Sequence, residues 1–320
     1  MVGWTRVSAT TDTIGAQTEA MTTSTASIDR ALTPQMRPPR TQTQIIWHKF
    51  RRHKAAVLSG IVLIVMIIVC FGAPWIAPYE FDAIDLRNTR QPPSLDHLMG
   101  TDDLGRDAFT RLLYGGRISL TVGIFAALVA TTIGAVLGAV AGFYGGGTDN
   151  VLMRFTEVII AIPSLPLLII LSSYTQASVV VIILIIGLLS WMATARIVRG
   201  SVHSVKRQDF VMAARMMGCR NATIIGRHII PNVMGPIIVG ATLGVGAAII
   251  IESSLSFLGL GISPPTPTWG NMLQDSQSTM ATKPWLTIFP GLAILITVLC
   301  INFLGEGLHD ALDPTMRSDS

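Results

Sequence analysis

Six stretches of this chain are too long and too apolar for water to be their only surroundings. Residues 55–76, 118–143, 156–173, 177–195, 234–257 and 285–304 each approach the roughly 20 residues that a helix needs to cross a bilayer. Within them only Glu157 and Glu252 carry an acidic side chain. An unpaired backbone N–H or C=O in hydrocarbon costs several kcal/mol, so a spanning segment is either a helix or a strand of a closed barrel. Barrel strands alternate apolar and polar residues, and the run 179–189 does not. The chain therefore reads as all-α, a polytopic membrane protein with six transmembrane helices. Charged residues make up only 13% of its 320 positions, well below the roughly 25% of soluble domains.

Positive side chains beside a span are retained on the cytoplasmic side. Lys49, Arg51, Arg52 and Lys54 precede the first run, and Arg196, Arg199, Lys206, Arg207, Arg215, Arg220 and Arg227 lie between the fourth and fifth. Both groups fall inside the cell if the N-terminus is cytoplasmic, and an even number of spans then brings the C-terminus inside as well. The opposite loop carries Glu80, Asp82, Asp85, Asp96, Asp102, Asp103 and Asp107. The expected location is the plasma (inner) membrane. The net charge of +4 is accounted for by residues flanking spans, so no nucleic-acid partner is implied. Cys70, Cys219 and Cys300 are far apart and form no metal or redox motif.

Composition divides the chain further. Residues 1–42, rich in Thr, Ser, Ala and Pro, read as a disordered cytoplasmic tail. The first apolar run starts too late, and is too long, for a cleavable signal. Residues 43–98 hold the first span and the start of an outer loop, 99–314 the other five spans, and 315–320 a second cytoplasmic tail. In the outer loop, 77–96 is expected to be irregular. Residues 102–117 are expected to form a short surface helix, supported by the acid-first i,i+4 pairs Asp102/Arg106 and Asp107/Arg111 at about 0.3 kcal/mol each. Pro163 and Pro166 predict a kink in the third span. Trp47, Trp75, Trp191 and Trp285 are placed as headgroup anchors, and Trp269 in an outer loop near the pathway or a delivery protein.

The cytoplasmic segment 200–231 carries the most information. Asp209 is placed as N-cap of a helix over 210–217 that Gly218 ends. Phe210, Ala213, Ala214 and Met217 follow i, i+3, i+4, i+7 and make one apolar stripe, either a knob for a partner's groove or a face packed on the chain's own spans. Asn221 is expected to cap a second helix stopping at Pro231. Gly145, Gly146 and Gly147 form a tight turn, since the G-x-x-x-x-G-K-[ST] phosphate-loop pattern is absent. Any nucleotide is therefore hydrolysed by another polypeptide.

The stretch from Phe210 through Ala213, Ala214 and Gly218 to His228 and Pro231 resembles the EAA loop of membrane subunits of bacterial ABC importers. His97-Leu-Met-Gly-Thr-Asp102-Asp-Leu-Gly-Arg106-Asp107 and Glu252-Ser253-Ser-Leu-Ser256-Phe257 resemble segments of the C-type permeases for dipeptides, oligopeptides and nickel (DppC/OppC type). The closing Leu304-Gly-Glu-Gly-Leu-His-Asp310-Ala-Leu-Asp-Pro314 is similar again. The resemblance covers about 45–314 and implies the type I ABC importer permease fold, with a loop that docks onto ATP-binding subunits. It implies a heterodimer with a homologous B-type permease, two ATP-binding subunits that hold ATP and Mg²⁺, and an extracytoplasmic solute-binding protein. This chain would then bear no cofactor and no catalytic activity, and would carry peptides, although permeases for nickel and glutathione share these motifs. The docking residues implied are Asp209, Phe210, Ala213, Ala214, Met217, Gly218, His228 and Pro231. Met212 stands where the family motif has its glutamate.

Intramembrane carboxylates are functional candidates. Glu157 lies beside Arg154 and reads as structural, whereas Glu252, with Ser253, Ser256 and Phe257, is a candidate either for lining the translocation path or for pinning two helices. The second functional reading is a proton-coupled secondary transporter working without ATPase subunits, with Glu252 as relay.

Overall fold

Satisfying the backbone inside hydrocarbon leaves helices as the building material, and among the described residues the only extended pairing is a single bridge between Thr101 and Asp107. The structure, a computed structural model, describes residues 42–174 and 178–312. The expected tails, 1–42 except for Gln42 and 315–320, lie outside the described residues. The chain divides into two units, 1–45 and 46–320; of the first, only residues 42–45, the start of a helix, are among the described residues, and the contacts below belong to the second.

Helix α1 (Gln42–Arg52) is followed by α2 (Lys54–Phe71), whose first turn is capped by His53 Nδ1 accepting from Ala56 N–H at 3.1 Å, and by the single turn α3 (Ala73–Ile76). Then come α4 (Ala108–Tyr144), α5 (Gly146–Ala161), α6 (Ser164–Tyr174) and α7 (Val179–Val205). The rest is α8 (Asp209–Met216), α9 (Asn221–Thr223), α10 (Met234–Phe257), α11 (Trp269–Ser276) and α12 (Trp285–Leu312). Helices α2, α4, α7, α12 and the stretch Asn221–Phe257 are long and apolar enough to cross a membrane, and α5 with α6 makes a sixth span if that bent pair counts as one. The bend is 79°. It falls where Ile162 turns extended at ψ 125°, because a residue preceding proline is pushed out of the helical region and Pro163 offers no N–H to rejoin it.

Helices α4 and α7 form the spine. Gly134, Gly138 and Gly142 repeat every fourth residue and so lie on one face of α4. A Cβ at these positions would meet the carbonyl oxygens of Trp191, Ala195 and Arg199 at 2.6, 2.4 and 2.7 Å. The two backbones therefore touch, as small residues allow in membranes, where packing rather than water drives helix association. Trp191 consequently does not anchor at a headgroup: it is 5% exposed and stacks on Phe155, ring centroids 6.3 Å apart. At its other end α4 carries Gly115 and Gly116, against which Thr268 and Trp269 press from α11 and its cap. Helix α10 packs on α4, α7 and α12, and α12 packs on α2.

The expected surface helix over 102–117 does not form. Asp107 N-caps α4 by accepting from Thr110 N–H at 2.8 Å, so 108–117 is the first part of the second span, and 102–106 is a tight loop. Gly105 sits at φ 75°, where a Cβ would collide with the Asp85 carbonyl. The predicted partners are used differently. Asp102 Oδ2 accepts from Arg106 Nε at 2.7 Å and lies 3.5 Å from Arg111 Nε, and both arginines reach Asp275 of α11 at 3.4 and 3.5 Å. The i,i+4 charges thus tie the outer loop to α4 and α11 instead of decorating a helix.

Replacing Gly138 by leucine should separate α4 from α7 at a cost of about 1–3 kcal/mol, read as a lower thermal midpoint of the detergent-solubilised protein. Gly147→Leu, where a Cβ meets nothing within 4 Å, should leave that midpoint in place.

Candidate functional site

At the end of α7 the chain turns through Lys206 to Gln208 and starts α8. The capping residue is Gln208, without a side-chain bond, and Asp209 is the first helical residue, where its charge still complements the helix N-terminus. The C-terminal expectation holds in geometry: Gly218 has φ 78°, Gly218 N–H donates to Arg215 O at 3.0 Å, and Cys219 N–H donates to Ala214 O at 3.2 Å. That is the paired closure of a helix whose C′ residue is left-handed.

Which face α8 turns inward differs from the predicted stripe. Val211 and Ala214 are 0% and 1% exposed, and pack with Phe143 of α4, Val198 and Val202 of α7, and Ile224, Ile229 and Val233 beyond α9. Of the stripe only Ala214 is inside; Phe210, Ala213 and Met217 face solvent. The outward crest, opposite Val211 and Ala214 by helical phase, is Asp209, Met212, Ala213 and Met216. Met212 and Met216 are 51% and 89% exposed.

The second expected helix also departs from expectation. Asn221 makes no capping bond, and only Asn221–Thr223 is α-helical before a π-turn over Ile224–Ile229 and a 3₁₀ turn over Ile230–Val233. Pro231 does not stop the chain, because it lies at the start of the 3₁₀ turn, where its missing N–H is not called upon. His228 is half-buried and Pro231 exposed.

Three contacts bind this loop to the spine, and a fourth ties the spine to α5. Lys206 Nζ donates to the Gly142 and Phe143 carbonyls at 2.7 and 3.4 Å, a cation on the C-terminal carbonyls of α4. Arg215 lies over the Phe143 ring, 5.5 Å from its centroid. Arg199 grips Asp149 of α5 with two donors, Nη2 to Oδ2 at 2.6 Å. The Val211/Ala214 core completes the joint, so α8 is carried rigidly by α4 and α7.

Glu252 is 0% exposed. Its Oε2 accepts from Ser119 Oγ of α4 at 2.9 Å and its Oε1 from Ser256 Oγ at 2.7 Å. Ser119 Oγ in turn accepts from Trp269 N–H at 3.3 Å, and Trp269 Nε1 donates to Leu112 O at 3.0 Å. Of the two roles open from the sequence, this geometry is that of a pin joining α4, α10 and α11. Trp269, 1% exposed, packs against Gly116 and Leu120 of α4 and Cys70 of α2. Ser253 and Ser256 are also buried; Phe257 alone is exposed. Glu157 pairs with Arg154 at 3.0 Å on an exposed face.

None of Glu252, Ser253, Ser256 and Phe257 lines the membrane-level groove. That groove, of about 270 Å³, runs between Ala126, Ala130 and Thr131 of α4, Ser190, Ala193 and Thr194 of α7, and Gly240, Gly244 and Ala247 of α10. It shares Ile197, Gly240 and Leu243 with a second opening of about 420 Å³ that leads towards His309 and Leu312. Neither contains Asp, Glu, Lys or Arg. The sequence signal for it, small residues recurring at helical spacing in three different spans, becomes a surface only after packing.

A family model described as binding-protein-dependent transport system inner membrane component matches residues 134–318. Another, described as the N-terminal TM domain of oligopeptide transport permease C, matches 41–93. The chain is 43% identical over 271 residues to an oligopeptide transport system permease protein of Haemophilus influenzae, covering 84% of this chain and 87% of the relative. With the protein of the same description from Bacillus subtilis it is 40% identical over 269 residues, 84% and 88% of the two chains. A glutathione transport system permease protein of Escherichia coli is 41% identical over 279 residues, 87% and 92% of the two chains.

If Glu252 is a pin, Glu252→Ala should destabilise the protein by about 1–3 kcal/mol, since it strands buried hydroxyl donors. Glu252→Gln, which still accepts from both serines, should recover most of the loss; thermal unfolding in detergent measures both.

Proposed function

This chain belongs to the family of binding-protein-dependent transport system inner membrane components, and on that premise we propose that it forms one wall of the path through which an ATP-driven importer carries di- or oligopeptides. It is a membrane-spanning transport subunit and not an enzyme; ATP hydrolysis belongs to separate subunits. The assembly proposed has a homologous B-type permease beside it, two ATP-binding subunits against the α8 end, and an extracytoplasmic solute-binding protein at the Asp102–Asp107 end. The basic residues at 196–227 favour placing α8 and both termini in the cytoplasm.

One observation carries the reading: α8 presents an exposed crest while its inner face is fastened to α4 and α7. A push on Met212, Ala213 or Met216 would be transmitted into the two helices that border the groove through the core that Val211 and Ala214 share with Phe143, Val198 and Val202. In the proposed cycle, closure of the nucleotide-binding subunits on ATP moves this knob as a rigid body, and the attached spans alternately open the groove to either side. The uncharged, small-residue lining supports passage of a polar, flexible solute without a fixed binding charge to trap it.

A self-sufficient proton-coupled carrier is not this protein. Its family works with a binding protein, and the carboxylate that would relay protons is fully buried and accepts from Ser119 and Ser256.

The test is reconstitution of the full assembly in liposomes. Ala213→Trp, on the exposed crest, should insert normally yet lower ATP-driven peptide uptake and copurification of the ATP-binding subunits by about tenfold or more, as expected for a bulky intrusion at an interface centre. Undiminished uptake would refute the coupling role. Ala247→Trp, in the groove, should lower uptake while the ATP-binding subunits still copurify.

A further inference from the structure

Arg117 differs from its neighbours at the outer end of α4. Arg90, Arg106 and Arg111 each meet a carboxylate, whereas Arg117, exposed on α4, makes no ion pair among the described residues. It lies instead over the Phe71 ring at the end of α2, its guanidinium carbon 5.9 Å from the ring centroid. Depth along α4 sets its level in the bilayer. Arg117 and Gly142, whose carbonyl takes Lys206, are about 38 Å apart along the helix, and the hydrocarbon core is about 30 Å thick. The two cations therefore reach opposite headgroup layers. Two exposed apolar stripes run into the membrane from this point: Ile68 and Ile64 on the Phe71 face of α2, and Ile124 and Leu128 on the Arg117 face of α4. Just beyond Phe71, Trp75 of α3 is 87% exposed.

We infer that Arg117 holds the phosphate of a phospholipid, in the outer leaflet on the orientation proposed above, with an acyl chain lying along α2 and α4. An aromatic ring attracts the charge but offers no oxygen acceptor, and a guanidinium at the edge of hydrocarbon without one is costly. The paired oxygens of a phosphodiester match its fork of donors. Position agrees with chemistry. The apolar stripes follow the charge inward in the order headgroup, then chain, as a single lipid molecule does. An exposed tryptophan at the same end of the span is what a headgroup layer favours. The face is also turned from the groove: by helical phase Arg117, Ile124 and Leu128 lie roughly a third of a turn round α4 from Ala126, Ala130 and Thr131. A wall directed at the solute path thus leaves this face towards lipid.

The experiment titrates the purified, delipidated full assembly with phosphatidylglycerol or with diacylglycerol of the same chains, and reads retained lipid by native mass spectrometry. Wild type should hold phosphatidylglycerol about tenfold more tightly than diacylglycerol, the worth of a charge-assisted contact; equal retention overturns the proposal. Excess inorganic phosphate should not displace the lipid, and if it does, the site takes a free anion and the lipid assignment fails. Arg117→Ala should lower phosphatidylglycerol retention about tenfold, and Arg117→Lys and Phe71→Ala about threefold each, with the thermal midpoint in lipid-free detergent unchanged. Arg87→Ala, which removes an exposed arginine of the outer loop, should leave retention as it is. Should it matter as much as Arg117→Ala, the attraction is diffuse charge and there is no site. An Arg117→Ala protein that keeps the lipid but releases the companion permease would assign this face to a protein contact and overturn the proposal as well. The headgroup comparison on wild type decides the question even where a variant fails to insert.

Discussion

Three glycines on one face of α4 bring its backbone into contact with α7, and most of the molecule's working geometry follows from that contact. In hydrocarbon, apolar side chains gain little by leaving lipid for one another, so shape and proximity decide which helices stay together. Gly134, Gly138 and Gly142 remove the side chains that would keep the axes apart. At 37 residues and about 1.5 Å per residue, α4 reaches from the outer loop to the α8 end as one uninterrupted rod. A rod held along its length by a second rod does not bend easily, which is what a part that transmits force requires.

The two ends of that rod are finished in different ways. Near Asp102 the charges of Arg106, Arg111 and Asp275 close on one another around the helix start, and the Glu252 pin locks α10 and α11 to α4 at Ser119, about three turns further in. Near Tyr144 the fastening is apolar and cationic: Val211 and Ala214 in the core, Lys206 on the last carbonyls, Arg215 over Phe143. Buried polar groups at the first end fix one arrangement at some cost in desolvation. The apolar joint at the other lets α8 be small and still immobile relative to its spans.

Between these ends lies a groove with no ionisable carboxylate or base at membrane depth. The strongest intramembrane charge candidate, Glu252, is withdrawn from it and used internally. The wall of the groove is built of alanine, glycine, serine and threonine together with Ile186, Ile197 and Leu243, and offers no charged side chain.

The apolar runs determined the all-helical membrane class, because no other structure satisfies a backbone in lipid, and local chemistry determined the break at Pro163 and the helix end at Gly218. The four-residue repeat of glycines in α4 was equally present in the sequence, but its meaning depends on a partner helix. Tertiary structure decided the rest. Asp102/Arg106 and Asp107/Arg111 have helical spacing, yet Asp107 is more valuable as a cap and Arg111 as a bridge to Asp275, distant in the chain. Trp191 looked like a headgroup anchor until packing brought Phe155 to it. The stripe on α8 had the right period but the wrong phase, since Val211 and not Phe210 meets the core that α4, α7 and the π-turn assemble together. Periodicity states that a helix has faces; only the neighbours it acquires on folding determine which face is turned inward.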